Sequence, residues 1–435
     1  MELLSFALLL LILLCVLLGT GLWIPMSLAV VGYIGMMAVH PQPGLFLASS
    51  MWESTGSWTL AALPMFVWMG EILFRTKLSE ELFNGLSPWV RWLPGRLLHV
   101  NILACGIFGS VSGSSAATCA TVSKIALPEL RRRGYDESVA VGSLATAGTL
   151  GIMIPPSIIM VVYAVAAEVS IVRVFIAGMI PGILVMALFS AYIAIWAVLN
   201  PTKQPPKEPA LSFREKMRAS AQLIPCAILI IAVIGTMFVG WATATEAAGF
   251  GVLGSLILAA VTRTLTWQSF KESLMGATRL SCMIMFILAG AAFLTKAMAL
   301  TGIPSALAAG AEALNLGPFG IIAILTVVYL ILGTALDGVS MIVLTTSIVV
   351  PMVQSAGFDL VWFGIFIVLL VEIAEVTPPV GFNLFVLQNM TGKDSNTIAK
   401  AAVPFFLCLV VCIALITLFP SIVTYLPDAV MGVDK

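Results

Sequence analysis

Phe108-Gly109-Ser110-Val111-Ser112-Gly113-Ser114-Ser115 interrupts an otherwise apolar segment spanning 97–130. Gly333-Thr334-Ala335-Leu336-Asp337-Gly338-Val339-Ser340 interrupts a second, spanning 318–352. A continuous membrane helix has no use for such a patch. A helical hairpin that turns inside the bilayer does, because its tip must reverse direction on small and polar residues.

These two patches belong to a longer internal repeat. Ile107-Phe108-Gly109-Ser110 resembles Ile331-Leu332-Gly333-Thr334, and Pro128 matches Pro351. Gly134-Tyr135-Asp136 matches Gly357-Phe358-Asp359, and Pro155-Pro156 matches Pro378-Pro379. Most of these matches share one offset of 223 residues (357 − 134). Chance supplies one Pro-Pro match readily, but rarely several at one offset. The first Gly-aromatic-Asp follows Arg131-Arg132-Arg133, which places it in the cytoplasm by the positive-inside rule. Its counterpart follows Gln354-Ser355-Ala356, with no basic residue, which places it outside. The copies are therefore expected to be inverted. Inverted repeats with Gly- and Pro-interrupted segments at matching positions are a sequence pointer to a secondary transporter's site. The plainer explanation is that Gly and Pro are common in membrane helices, but it does not account for the shared offset.

Composition agrees with a membrane protein. Of the 435 residues 60% are hydrophobic and 10% charged, against about 25% charged in a typical soluble domain. Mean hydropathy is +1.09. Net charge is zero, with 21 basic and 21 acidic residues, so no basic surface suggests nucleic acid. A β-barrel would alternate apolar and polar residues, and that pattern is absent. The seven cysteines lie in apolar segments without a CxxC pair and read as packing residues. His40 and His99 are the only histidines, and no His/Cys/carboxylate cluster has metal-ligand spacing. The first 18 residues imitate a signal peptide but carry no basic n-region, and so read as a first span.

The expected class is an all-α polytopic protein with spans near 4–20, 22–39, 58–75, 138–165, 175–199, 221–239, 244–262, 281–299, 360–388 and 402–424. The loop 200–219 contains Lys203, Lys207, Arg214, Lys216 and Arg218, and its prolines stop any helix. It is expected in the cytoplasm with Arg75, Lys77, Arg131 to Arg133 and the stretch Arg263 to Arg279. Both termini then fall outside, and the outside loops 40–57 and 240–243 carry no Lys or Arg. Segments 79–96 and 266–280 read as amphipathic helices in the interface, with Trp89, Trp92 and Trp267 at headgroup depth. The expected organisation is scaffold 1–96, repeat 97–200, loop 201–219, scaffold 220–317, repeat 318–400 and a C-terminal span 401–435.

Lipid cannot satisfy free N–H and C=O groups, so broken helices must bury their ends in protein or line a cavity. Exposed carbonyls coordinate Na⁺, and half-helix N-termini attract carboxylates. Ser112, Ser114 and Ser115 add hydroxyls to the first tip, and Thr149 through Pro156 break the following span. The second copy offers Gly333, Thr334 and Asp337, then Thr377 through Asn383. Asp337, ionisable at a tip, is the leading candidate, either as a Na⁺ ligand or as the residue shaping the tip. Glu372 and Glu375 lie three apart on one face, as site or proton-carrying groups or as structural hydrogen-bonding groups. Glu71 is expected to pair with Arg75. Lys296 either snorkels or meets an anionic substrate.

Four stretches carry a family resemblance: Gly109 through Thr118, Gly148 through Ser157, Phe175 through Gly182, and Thr377 through Asn383. At these the chain resembles the large membrane subunit of tripartite ATP-independent periplasmic (TRAP) transporters, over essentially its full length. The resemblance implies an ion-transporter-like fold with a mobile transport domain, an elevator motion and Na⁺ coupling in a bacterial inner membrane. It implies two partners, a small membrane subunit expected as a separate chain and a periplasmic substrate-binding protein, with an organic acid as cargo. One Na⁺ site would use Ser112, Ser114, Gly151, Ile154 and Pro156. The other would use Gly333, Asp337, Thr377 and Gly381. Ser115, Ser170 and Asn383 would lie near the substrate.

Ion coupling is energetically sufficient. A charge crossing 100 mV contributes about 2.3 kcal/mol, and a tenfold gradient about 1.4 kcal/mol per ion. Two ions supply on the order of 7 kcal/mol, less the electrical cost of an anionic cargo. No G-x-x-x-x-G-K-[ST] phosphate loop is present. The competing expectation is a stand-alone Na⁺/carboxylate or anion transporter needing no binding protein. A membrane enzyme would need a nucleophile–base pair or a metal cluster, and neither is seen in the sequence.

Overall fold

The computed structural model describes residues 3–206, 212–303, 306, 317–334, 336–378 and 381–432. Within these the chain is helical. Six helices, or eight if each of two bent pairs counts as one span, are long and apolar enough to cross a membrane.

The first part of the chain forms α1 (Leu3–Gly19), α2 (Ile24–Met37), α3 (Pro43–Thr55), α4 (Ala62–Phe74) and α5 (Leu78–Val90). The sequence predicts a loop over 40–57, yet α3 fills most of it and meets the next helix at a 53° bend. Pro43 at the first helical position starts α3, where a missing N–H is harmless.

Next come α6 (Leu97–Ser112) and α7 (Ser115–Arg132), a hairpin closed by two residues. α8 (Glu137–Ala147), the single turn α9 (Leu150–Met153) and α10 (Ile158–Ala166) form a broken helix bent by 44°. α11 (Ile171–Leu199) is continuous and begins four residues before the expected 175. The sequence reads 200–219 as a loop whose prolines stop any helix, yet α12 (Phe213–Ser220) forms there, started by a Ser212–Glu215 capping box beyond Pro209, the last linker proline.

α13 (Ile224–Phe238), α14 (Ala244–Val261) and α15 (Trp267–Thr301) follow. The sequence predicts an interfacial helix ending at 280 and a separate span from 281. Instead α15 runs unbroken for 35 residues, about 52 Å at 1.5 Å per residue, well beyond the ~30 Å hydrocarbon core. The change from amphipathic to apolar sequence reads as a boundary, but nothing at 280 breaks the hydrogen-bond ladder. α2, α3 and α4 pack along α15, and α14 packs on α4.

The last part repeats the order of the middle one. α16 (Pro318–Gly333) and α17 (Gly338–Ser355) form a second hairpin. α18 (Leu360–Glu375) and α19 (Phe382–Thr391) are the halves of a second interrupted helix. α20 (Ser395–Leu418) and α21 (Ser421–Met431) are separated near Pro420, where one span over 402–424 is expected.

The matched residues do the same local work in both copies. Gly134 and Gly357 adopt φ of 78° and 81°. After each, the aromatic N–H bonds back to the carbonyl five residues earlier, Tyr135 to Leu130 (3.0 Å) and Phe358 to Val353 (3.2 Å). This closes the preceding helix in a left-handed C-terminal cap. Asp136 and Asp359 then cap the first halves of the two broken helices.

Arg131 and Lys203, both expected in the cytoplasm, meet one end of α8 together with Lys393. Lys393 pairs with Glu137 at 3.0 Å, Arg131 also meets Glu137, and Lys203 reaches Asp136 at 3.8 Å. Arg96 donates to the carbonyls of Pro205 and Pro206. Arg75 and Glu71 form the expected pair at 2.5 Å. Two other pairs, Lys296–Glu53 (2.6 Å) and Arg173–Asp428 (2.5 Å), join helix ends that the expected topology puts on the opposite side.

Candidate functional site

The first hairpin reverses because Gly113 adopts a left-handed conformation (φ 61°) and Ser114 is extended (φ −130°, ψ 127°). Ser114 caps α7 and accepts from the Ala117 N–H. The tip closes on itself through hydroxyls. Ser112 Oγ lies 2.7 Å from Thr118 Oγ1, and Thr118 Oγ1 donates to the Ser114 carbonyl at 2.8 Å.

This tip is seated on the break of the following helix. Gly109 meets Gly151 so closely that a Cβ on Gly109 would lie 2.6 Å from the Gly151 Cα. A Cβ on Gly151 would lie 2.6 Å from Thr118 Oγ1 and 2.8 Å from the Ser114 carbonyl oxygen. A Cβ on Gly113 would lie 3.4 Å from the Pro156 carbonyl oxygen. Ser112, Ser114, Gly151 and Pro156 are thus brought together. Ile154 is in the break, but its side chain faces Gly106 and Gly182, so only its backbone is offered to the site. The Pro155–Pro156 bond is cis. Thr118 is absent from the residues expected at the site. It lies four after Ser114, on the same helix face, and that spacing is the signal that could have found it.

The second tip is built from the same kinds of parts. Gly333 ends α16 directly against Ala374, near the end of α18. Asp337 caps α17, accepting from the N–H groups of Val339 (3.1 Å) and Ser340 (3.3 Å) and from the Ser340 hydroxyl. Of its two expected roles, this geometry displays the tip-shaping one. Thr377 Oγ1 donates to the Ile373 carbonyl at 2.6 Å, and Gly381 (φ 27°) lies against the Thr377 carbonyl. Ala335, Pro379 and Val380 lie outside the described residues.

Ser115 and Asn383 link the two copies. Ser115 Oγ donates to Asn383 Oδ1 at 3.1 Å, and Asn383 Nδ2 donates to the Ala145 carbonyl at 2.9 Å. Both side chains are buried. Ser170 is elsewhere: it is exposed and caps α11 by accepting from the Arg173 N–H at 3.3 Å. Glu372 is fully buried, and neither of its carboxyl oxygens has a hydrogen-bond partner among the described residues. The expected structural hydrogen bond is therefore not formed there. Glu375, one turn on, also has one such oxygen.

Two cavities bear on the first tip and on Lys296. A small one of about 90 Å³ touches Ser112, Ser114, Gly70 and Glu71. A larger one of about 330 Å³ lies between α3, α15, α10 and α17, and contains the Lys296–Glu53 pair with Ser50, Ser54, Thr295 and Thr346. Lys296 reaches the outer end of this cavity, where its half-exposed ammonium meets the exposed Glu53 carboxylate, a position compatible with snorkelling.

A family model described as the tripartite ATP-independent periplasmic transporter, DctM component, matches residues 9–422. The chain is 32% identical over 403 residues to a C4-dicarboxylate TRAP transporter large permease of Pseudomonas aeruginosa, covering 92% of this chain and 94% of that one. It is 32% identical over 375 residues to an ectoine/5-hydroxyectoine TRAP transporter large permease of Ruegeria pomeroyi, covering 85% and 86%. Its fold is similar to that of the YdaH transporter of Alcanivorax borkumensis, with a TM-score of 0.64 at 11% identity, covering 91% and 97%.

Proposed function

The chain belongs to the DctM-component family of tripartite ATP-independent periplasmic transporters, and on that premise we propose Na⁺-coupled uptake of an organic acid delivered by a periplasmic binding protein. It is a multi-pass inner-membrane protein and its relatives are permeases rather than enzymes. A small membrane subunit completes the assembly. The cargo is a carboxylate-bearing acid, in keeping with the C4-dicarboxylate named for one relative.

The observation that carries this reading is the seating of each hairpin tip on the break of the next helix, at matching repeat positions. The oxygens gathered at the first tip, Ser112 Oγ, Thr118 Oγ1 and the carbonyls of Ser114 and Pro156, are the hard donors a Na⁺ ion takes. Gly333, Thr377 and Gly381 form the counterpart, with Asp337 holding the tip in shape. Each cation offsets charge on an arriving carboxylate near the tips. The helices of the two repeats form the mobile body, and α1 to α5 with α13 to α15 form the scaffold against which it slides. In the outer cavity the substrate carboxylate competes with Glu53 for Lys296.

Inversion of the two copies has a direct check. Arg132 and Ser355 are exposed and occupy matching positions, 223 residues apart (355 − 132). In a chain without its native cysteines, Ser355→Cys is expected to react with an impermeant maleimide from the periplasm. Arg132→Cys is expected to react only after permeabilisation. Labelling of both from one side rules out the inversion.

Ser112→Ala removes a ligand, worth about 1.5–3 kcal/mol for a hydrogen bond or contact to a charged group, so Na⁺-driven uptake is expected to fall roughly 10- to 100-fold. Asp337→Ala loses a helix cap, about 1 kcal/mol, and uptake is expected to drop about fivefold. Insertion into the membrane should be unchanged in both. Full uptake by both variants would dissolve the site.

A further inference from the structure

The first half of α15 carries an amphiphile-shaped surface. Lys271, Met275, Arg279 and Met283 are exposed and follow one another at four-residue steps, an oblique stripe that winds round the helix towards the buried Ile287. Lys271 to Ile287 rises about 24 Å at 1.5 Å per residue. One leaflet with its headgroups is about 20–22 Å thick, half of a ~40–45 Å bilayer.

Two cavities divide this stripe, and Arg279 lines both. Towards the cytoplasmic end lies a polar one of about 560 Å³, walled by Arg75, Lys271, Arg279, Gln268 and Glu272. Deeper lies one of about 890 Å³, walled chiefly by apolar groups such as Leu22, Trp23, Met283, Phe286, Ile287 and Leu336. It falls within the range of about 300–1,000 Å³ usual for ligand pockets. Its far walls are the α1–α2 turn and the second hairpin tip, where Asp337 and Ser340 also reach it.

Charge decides which end takes which part of a ligand. Arg75 is engaged by Glu71 at 2.5 Å and Glu272 at 3.7 Å. Among the described residues no ion pair engages Lys271 or Arg279. The polar end therefore keeps two available cations. At the deep end the carboxylate of Asp337 disfavours an anion. We infer that Lys271, Arg279 and the adjoining groove bind one anionic phospholipid of the cytoplasmic leaflet, its phosphate on the two cations and an acyl chain in the groove. Such a lipid fills the space between a long scaffold helix and the second hairpin tip.

The test uses the purified, delipidated full chain and native mass spectrometry. The probes are phosphatidylglycerol, phosphatidylethanolamine and inorganic phosphate. One tightly held phosphatidylglycerol is expected, which millimolar phosphate does not displace. Each basic residue beside a membrane surface strengthens anionic-lipid binding by about fivefold. The Lys271→Gln/Arg279→Gln variant is therefore expected to bind it about thirtyfold more weakly. Lys271→Arg/Arg279→Lys keeps the charges and should restore binding, which separates charge loss from misfolding. Met283→Trp fills the groove, leaves both cations, and should also weaken binding. Unchanged retention in the Gln variant or in Met283→Trp overturns the inference. So does equal retention of phosphatidylethanolamine, or displacement by inorganic phosphate, which would mark a free-anion site.

Discussion

Gly151→Ala is expected to abolish Na⁺-driven uptake while leaving the chain in the membrane. The added methyl would lie 2.6 Å from Thr118 Oγ1 and 2.8 Å from the Ser114 carbonyl oxygen. Neither neighbour can yield cheaply. The carbonyl is backbone at a two-residue turn, and the hydroxyl is tied to both Ser112 and Ser114. Overpacking of this kind costs about 1–3 kcal/mol, and here the strain falls on the oxygens proposed to hold the ion. Cation affinity should weaken roughly 10- to 100-fold, and the tip should lose its seat on the break. The measurement is uptake in proteoliposomes against Na⁺ concentration. A variant with wild-type Na⁺ dependence would mean that the first tip and the broken helix do not form a site together.

Asn383→Ala should have an effect of similar size for a different reason. Asn383 joins Ser115 of the first hairpin and the Ala145 carbonyl of α8 to the second broken helix. Removing its amide leaves the buried Ala145 carbonyl without this partner, at about 1–3 kcal/mol, and takes from Ser115 its bond across the copies. Thermal stability is expected to fall by several degrees and uptake by more than tenfold. Ser115→Ala removes only one of the two bonds and should lose about 1 kcal/mol. Because the residues touch, the double variant is expected to lose less than the sum of the two. Additive losses would show that the link between the copies is not one unit.

Much of this was legible because a membrane chain has few ways to turn. Gly134 and Gly357 were matched as repeat positions, and both are left-handed caps followed by a capping aspartate. The small-residue patches predicted hairpin tips, and turns stand at Gly113 and after Gly333. What composition could not show was continuity. The interval 40–57 mixes Gly, Ser, Thr and Trp and reads as a loop, yet Pro43 starts a helix there. The expected division at 280 is a change of solvent along α15, not a change of backbone.

Side-chain assignments were legible only where the main chain dictated them. Gly109 and Gly151 face each other because nothing larger fits. Ser115 and Asn383 were expected near the substrate, and they are joined, but to each other. Ser170 satisfies the start of a helix instead, a role any serine before an apolar run can take. Lys296 needed its partner Glu53, 243 residues away in sequence, before its position in a cavity could be seen.

The central claim is that the two tips couple Na⁺ to organic-acid uptake. It is tested most directly by reconstituting the chain with its small subunit and adding binding protein loaded with radiolabelled acid. Uptake is then followed with and without an inward Na⁺ gradient at fixed membrane potential. The account predicts uptake only with the gradient and the binding protein, accompanied by entry of ²²Na⁺. Uptake that proceeds equally with Na⁺ balanced across the membrane, or replaced by K⁺, would contradict it.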